Sequence, residues 1–63
     1  GAHDRSGQLV RGRYRLDALL ATGGQSSVYR GLDLVDGDGV AIKVLHAHAA
    51  RDRDWVERMF REA

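Results

Sequence analysis

The sequence contains no cysteine, which excludes disulfide bonds and metal sites built on thiolates. Histidine is scarce as well, and its three copies are His3, His46 and His48. The pair His46 and His48 has no cysteine or carboxylate cluster to complete a ligand set, so we assign it no metal and no chemistry. With 63 residues, the chain is long enough for one small domain or part of one.

Neither sign of charge dominates the chain, because ten Lys and Arg residues face nine Asp and Glu residues. The two signs are interspersed, so no basic stripe suits a nucleic acid or a membrane surface. The longest apolar run is too short for a membrane span, and the N-terminus has no apolar signal-peptide segment. We therefore expect a cytoplasmic chain without nucleic-acid or membrane contact.

The chain divides into a short leader and one domain. The opening letters GAHDRSG resemble an expression scar, so we interpret residues 1–8 as a scar or disordered leader and residues 9–63 as the domain. Alternating apolar residues predict strands at RYRLDALLA, SVYRGLDLV and GVAIKVLHA, with Tyr14, Leu16 and Ala18 on one face of the first.

The C-terminal segment changes to a helical period. Its apolar residues recur at helical spacing from Asp52 onward, namely Trp55, Val56, Met59, Phe60 and Ala63. Asp54, followed three residues later by Glu57, resembles a capping box. The sequence thus predicts an α+β arrangement, a three-stranded antiparallel sheet plus one helix.

A hairpin at residues 36–39, DGDG, joins the second and third strands. If Asp36 and Gly39 flank the turn, Lys43 lies opposite Leu32, and Ala41 lies opposite Leu34. Side chains alternate along a strand, which predicts one shared face for Val28, Leu32, Leu34, Ala41 and Lys43. The opposite face presents Val40, Ile42 and Val44.

The stretch LATGGQSSVYRG places two glycines just before the second predicted strand. The third predicted strand, which pairs with the second, carries Lys43, the only lysine of the sequence. Taken singly, the glycines fit an ordinary turn, and the lysine fits a side chain that extends to water at a sheet edge. Together, small residues that let backbone N–H groups approach and a nearby ammonium group are what a triphosphate needs. Glu62 shares the helix face of Trp55 and Met59, so it points toward the sheet if that face packs there; the alternative is a solvated glutamate.

From about Leu9 to Ala63, the chain resembles the opening of a protein kinase domain, most closely the small lobe of bacterial, actinobacterial-like serine/threonine kinases. The family's G-x-G-x-x-G-x-V loop corresponds to Ala21, Gly23, Ser26 and Val28, and the V-A-I-K motif is intact at Val40–Lys43. The resemblance implies that Lys43 contacts the ATP phosphates, that Glu62 in helix αC orients it, and that Val28 and Ala41 enclose the adenine. The implied ATP-binding residues are Leu20, Ala21, Thr22, Gly23, Gly24, Gln25, Ser26, Ser27, Val28, Ala41 and Lys43.

Two departures limit what the resemblance implies. Ala21 and Ser26 replace loop glycines, and the H-R-D and D-F-G motifs do not occur in these residues. The implied function is therefore the ATP-binding portion of a kinase that transfers the γ-phosphoryl group of ATP to protein Ser/Thr hydroxyls, with Mg²⁺ held elsewhere in the parent kinase. This portion alone is expected to be inactive, and its expected partners are ATP, the protein substrate of the parent, and the remaining kinase domain or a second copy.

Two other interpretations stay open. One is a pseudokinase-like module that binds nucleotide or a partner without catalysis. The other is a small interaction domain that dimerises through the apolar sheet face of Val40, Ile42 and Val44.

Overall fold

The computed structural model describes residues 4–46 and 56–61, which form one antiparallel sheet. Five strands lie in the order in which they occur along the chain, each paired with the next. Their bounds are β1 Leu9–Val10, β2 Tyr14–Thr22, β3 Ser26–Asp33, β4 Asp38–Leu45 and β5 Val56–Arg61. No helix long and apolar enough to cross a membrane is found in the described part of the chain.

The short strand β1 was not predicted from the sequence. It pairs with the start of β2, with Val10 opposite Tyr14. The connecting turn holds Arg11 and Gly12 at φ values of 54° and 63°, a left-handed conformation that glycine adopts without a Cβ penalty. The Arg13 N–H closes the turn by donating to the Val10 carbonyl at 3.0 Å.

Part of the N-terminal leader also has defined contacts. The Gly7 N–H donates to the Leu16 carbonyl at 2.6 Å, and the Leu16 N–H donates to the Gln8 carbonyl at 2.9 Å. The Arg5 N–H donates to the Tyr29 hydroxyl at 2.8 Å. The sequence favours a disordered leader over residues 1–8, whereas in the structure Gly7 and Gln8 bond to the backbone of β2, and Arg5 bonds to a side chain of β3.

Two irregularities in the pairing of β2 with β3 change which side chains share a face. They lie between Leu16 and Ala18 and between Leu19 and Ala21. An extra residue in one strand reverses the inward and outward alternation that follows it. Leu16 is therefore buried in the core, while Ala18 pairs with Arg30 on the other face, so the predicted shared face of Leu16 and Ala18 is wrong.

The turn between β3 and β4 lies earlier than predicted. Asp33 pairs with Asp38 at the base of the turn, and Gly37, at a φ of 79°, donates its N–H to the Asp33 carbonyl at 2.7 Å. Lys43 consequently faces Val28 rather than Leu32, and Ala41 faces Arg30 rather than Leu34. The predicted register is thus wrong by four residues.

The shift in register leaves the predicted faces of the strands in place. Val28, Leu32, Ala41 and Lys43 still share a face, because a shift by an even number of residues preserves the alternation of side chains. Leu34 lies in the turn, outside both strands, so its predicted place on that face is wrong.

The predicted helix from Asp52 onward is wrong where the structure describes it, because Val56–Arg61 is strand β5. This strand pairs with β4, with Arg61 opposite Val40 and Arg58 opposite Ile42. A strand here supplies hydrogen-bond partners for the second backbone edge of β4, which a helix cannot provide. The α+β expectation is therefore replaced by an all-β sheet in the described residues; Asp52, Asp54, Trp55, Glu62 and Ala63 lie outside them.

The hydrophobic core lies on one face of the curled sheet. Val40, Ile42 and Val44 are almost fully buried in it. The remaining buried members are Val10, Leu16 and Tyr29, with Tyr14 and Leu19 packed beside them. The expected exposed dimerisation face of Val40, Ile42 and Val44 is therefore wrong, because the chain itself covers these side chains.

Candidate functional site

The candidate site lies on the face opposite the core, beside the glycine loop. Val28 on β3 and Lys43 on β4 are directly opposite each other. Ala21 pairs with Val28 from the other side, at the end of β2. The alternation of β4 places Ala41 on the same face, one side chain further from the loop. The backbone thus brings together Ala21, Val28, Ala41 and Lys43, all predicted as site residues.

Lys43 is the lysine of this face, on the strand next to Val28. Val28 and Lys43 are direct cross-strand partners, an arrangement in which facing Cβ atoms are about 4.5 to 5.5 Å apart. Lys43 is half-buried, and none of the side chains that the structure describes forms an ion pair with it. Arg30, which pairs with Ala41, is a second cation on this face, and together the two positive charges suit an anionic ligand.

The acidic partner predicted for Lys43 was Glu62, which lies outside the described residues. Along the backbone, the residue of β5 in register with Lys43 is Glu57. Sequence reasoning gave Glu57 a helix-capping role because it assumed a helix there. The apolar residues of VERMFR fall at the helical spacing i, i+3 and i+4, so the local pattern gave no signal for a strand.

The glycine loop is a tight connection between β2 and β3. Thr22 pairs with Ser27, and the Gly23 N–H donates to the Ser26 carbonyl at 2.8 Å, which leaves Gly24 and Gln25 at the tip. Neither Gly23 nor Gly24 has a positive φ.

The space around the two loop glycines is open. An added Cβ at Gly24 would meet nothing within 4 Å, and one at Gly23 would meet only the Ser26 carbonyl oxygen at 3.9 Å. Neither backbone strain nor crowding within the chain explains these glycines. The close approach of an outside group would explain them.

Thr22 and Ser27, which flank the loop, face away from Lys43, whereas Ser26 lies on the same face as Lys43. Ser27 is buried on the core side, where its hydroxyl lies 2.8 Å from the Thr22 hydroxyl and 2.9 Å from Nε2 of His46. The structure therefore divides the predicted ATP-binding residues, because Thr22 and Ser27 lie on the opposite face from Val28 and Lys43. His46 was not predicted as a functional residue, and its position directly after a strand gave no signal.

A buried carboxylate, Asp33, anchors the far end of the same sheet. Its oxygens accept hydrogen bonds from Arg13 Nη2 at 2.7 Å and Nε at 2.9 Å, and from Arg58 Nη1 at 3.0 Å. They also accept from the N–H groups of Val35 at 2.9 Å and Asp36 at 3.2 Å. The hydrogen bonds from Arg13 hold the pKa of Asp33 well below its usual range and raise the pKa of Arg13. This carboxylate is fully engaged by the protein, so its role is structural.

Comparison with known proteins finds bacterial serine/threonine protein kinases among the relatives of this chain. The chain is 42% identical over 59 residues to serine/threonine-protein kinase PknA of Mycobacterium tuberculosis, a match to 94% of this chain and 14% of that protein. It is 44% identical over 55 residues to serine/threonine-protein kinase PknL of Mycobacterium bovis, across 87% of this chain and 14% of that protein. It is also 40% identical over 55 residues to the probable serine/threonine-protein kinase PknB of Corynebacterium glutamicum, across 87% of this chain and 8% of that protein.

The similarity covers nearly the whole chain but only a small part of each relative. No family model matches the sequence, and no solved structure matches it.

Proposed function

This chain is related to the N-terminal region of bacterial serine/threonine protein kinases, and from that relationship we propose that it contributes part of an ATP-binding site. The parent protein would transfer the γ-phosphoryl group of ATP to Ser or Thr hydroxyls of protein substrates in the cytoplasm. Such transfer depends mainly on positioning and on charge stabilisation around the phosphates, and this chain would supply one part of both.

The observation that carries the proposal is the pairing of Val28 with Lys43 beside an open glycine loop. Val28 is two residues from Ser26 at the end of the loop, a distance of about 7 Å along the strand. A ligand that extends along this face to the loop would meet Val28 at its apolar part, next to Ala41, which the chain itself buries almost fully. Its anionic part would meet Lys43 and the loop backbone.

The residues present fit the phosphates of ATP. Gly23 and Gly24 leave room for a close approach to the backbone, and backbone N–H groups with a compact cation are the donors that phosphate prefers. ATP would supply the transferred phosphoryl group, and Mg²⁺ would be held by parts of the parent kinase outside these residues. The H-R-D and D-F-G motifs that serve this purpose in kinases do not occur in the sequence given.

The test of the Lys43 assignment is the substitution Lys43→Met in the full-length protein. Met keeps the length and apolar character of the side chain but removes the ammonium group. We expect loss of phosphoryl transfer from radiolabelled ATP to a protein substrate, with the melting temperature close to that of the wild type. Arg30→Ala, an exposed cation on the same sheet, is the matched control for general loss of charge. Equal activity of Lys43→Met and the wild type would refute the assignment.

The acidic partner of Lys43 is tested by comparing two glutamates. The resemblance assigns this role to Glu62, whereas the register of β5 brings the backbone of Glu57 beside Lys43. Because a carboxylate that orients Lys43 does not touch the reacting atoms, Glu62→Gln should lower transfer less than Lys43→Met does. A larger loss in Glu57→Gln than in Glu62→Gln would assign the pairing to Glu57 instead.

A second candidate function is nucleotide binding without catalysis. It is favoured by Ala21 and Ser26, whose Cβ atoms restrict φ where the kinase loop has glycine. Binding of an ATP analogue by the full-length protein without phosphoryl transfer would favour this alternative. The isolated 63 residues should transfer no phosphate in either case.

A further inference from the structure

One side chain, His46, reaches both the tip and the base of the glycine loop. Its backbone N–H donates to the Gln25 carbonyl at 2.8 Å, and its Nδ1 lies 3.3 Å from the Gly24 carbonyl oxygen. Its Nε2 lies 2.9 Å from the hydroxyl of Ser27, which in turn lies 2.8 Å from the hydroxyl of Thr22. His46 therefore links β4 to the two tip residues and to the first pair of the β2–β3 ladder.

The chemistry of these groups fixes where the protons lie. A carbonyl oxygen only accepts, so the hydrogen bond to Gly24 requires a proton on Nδ1 of His46. In the neutral ring, Nε2 then accepts from the Ser27 hydroxyl, whose oxygen is left to accept from Thr22. In this series of hydrogen bonds, which runs from Thr22 through Ser27 and His46 to the Gly24 carbonyl, each donor thus meets an acceptor.

The contacts of His46 also orient the amides of the loop tip. In a trans peptide, a carbonyl and the following N–H point in opposite directions. Because the carbonyls of Gly24 and Gln25 both point to His46, the N–H groups of Gln25 and Ser26 point away from it. The tip amides are therefore oriented before any ligand arrives, and an added Cβ at Gly24 would find no neighbour within 4 Å.

We propose that His46 is a positioning residue that holds the tip of the glycine loop in one orientation, with its amides available to a phosphate group. The orienting role concerns this chain alone. The phosphate part of the proposal rests on the proposed function.

The orienting role is tested by amide hydrogen exchange in the full-length protein without nucleotide. The N–H of Gly23, which closes the loop, and the N–H of His46 report on the loop hydrogen bonds. We expect about tenfold faster exchange at both in His46→Ala, because two side-chain hydrogen bonds are lost. The amide of Ile42, in the centre of β4, should be unchanged and serves as the control for global opening.

Two further variants separate the arms of the His46 contact. His46→Asn keeps a donor near the Gly24 carbonyl but cannot reach Ser27, so its exchange should lie between those of His46→Ala and the wild type. Ser27→Ala removes only the hydrogen bond between Ser27 and Nε2 of His46. Its effect on amide exchange should largely disappear in a protein that already carries His46→Ala. Unchanged exchange at Gly23 and residue 46 in His46→Ala would overturn the orienting role.

The phosphate part is tested by titrating the same proteins with a non-hydrolysable ATP analogue. We expect the dissociation constant to rise about tenfold in His46→Ala, since an unrestrained loop must be ordered on binding. Faster exchange with unchanged affinity would overturn the phosphate part. Failure of the wild type to bind the analogue would refute the proposed function, while the exchange result would still decide the orienting role.

Discussion

A single methyl group added at Gly31 should destabilise the sheet strongly. A Cβ built there overlaps the backbone carbonyl of Arg15, with the Cδ1 atom of Ile42 at 3.0 Å as a further neighbour. The Arg15 carbonyl belongs to β2, whose pairing with β3 fixes it, so it cannot rotate away as a flexible side chain would. Overpacking of this kind costs about 1 to 3 kcal/mol. In a larger folded unit of about 150 to 250 residues, that corresponds to a fall in melting temperature of roughly 2 to 12 °C.

The same chemical change at Gly24 is the matched control for Gly31→Ala. Gly24 has no neighbour within 4 Å of the added Cβ and no positive φ, so Gly24→Ala should raise stability by about 0.4 to 1 kcal/mol through the unfolded state. Gly37 has equal space but a φ of 79°, so Gly37→Ala should cost about 1 kcal/mol from backbone strain alone.

The three glycine variants are compared by thermal and urea unfolding of the full-length protein. The expected order of stability is Gly24→Ala, then wild type, then Gly37→Ala, then Gly31→Ala. Equal stability of Gly31→Ala and Gly24→Ala would refute the close approach of β2 and β3 and, with it, the register of the sheet.

Three further predictions concern stability. The pKa of Asp33 in the folded protein lies below its unfolded value of about 3.9. The stability that Asp33 contributes is therefore present above about pH 3.9 and is lost as the pH falls through the folded pKa. Between pH 7 and 2, the melting temperature should fall steeply for the wild type and less for Asp33→Asn. Tyr29→Phe removes the hydroxyl that accepts a hydrogen bond from the Arg5 N–H and should lower the free energy of unfolding by about 1 kcal/mol. Ile42→Ala leaves a cavity in the core and should lower it by about 2 to 5 kcal/mol. Urea unfolding that ranks the two variants in reverse would contradict the assigned contacts. The isolated 63 residues should not sediment as a monodisperse, cooperatively melting monomer at low micromolar concentration, because so short a chain buries a small share of its surface.

The sequence was sufficient to predict the strands β2, β3 and β4 and the face that carries Val28, Ala41 and Lys43. Period-two alternation determines faces, and the error of four residues in the β3–β4 register left the faces unchanged because four is even. The position of the turn could not be found in this way. It depends on Asp33, whose carboxylate binds two turn amides and two arginines from distant segments.

The C-terminal segment shows where local pattern failed. The apolar residues of VERMFR have helical spacing, and the strand forms instead because β4 has a second backbone edge whose hydrogen bonds must be satisfied. Arg58 and Arg61 add charged contacts at 3.0 and 3.1 Å to Asp33 and Asp38, and sequence spacing of 23 to 25 residues gives no sign of them. The His46 contact with Ser27 was missed because it depends on the β3–β4 register, in which Ser27 pairs with Val44, two residues before His46.

The strand order has a consequence for how the sheet assembles. Every strand pairs only with its neighbours along the chain, so each hairpin can close within microseconds, whereas synthesis delivers about 5 to 20 residues per second. The sheet can therefore grow strand by strand as the chain leaves the ribosome. Asp33 can bind Arg13 as soon as β3 has formed, but it gains Arg58, 25 residues later, only when β5 pairs with β4, so one carboxylate links the first and last steps by which these five strands pair.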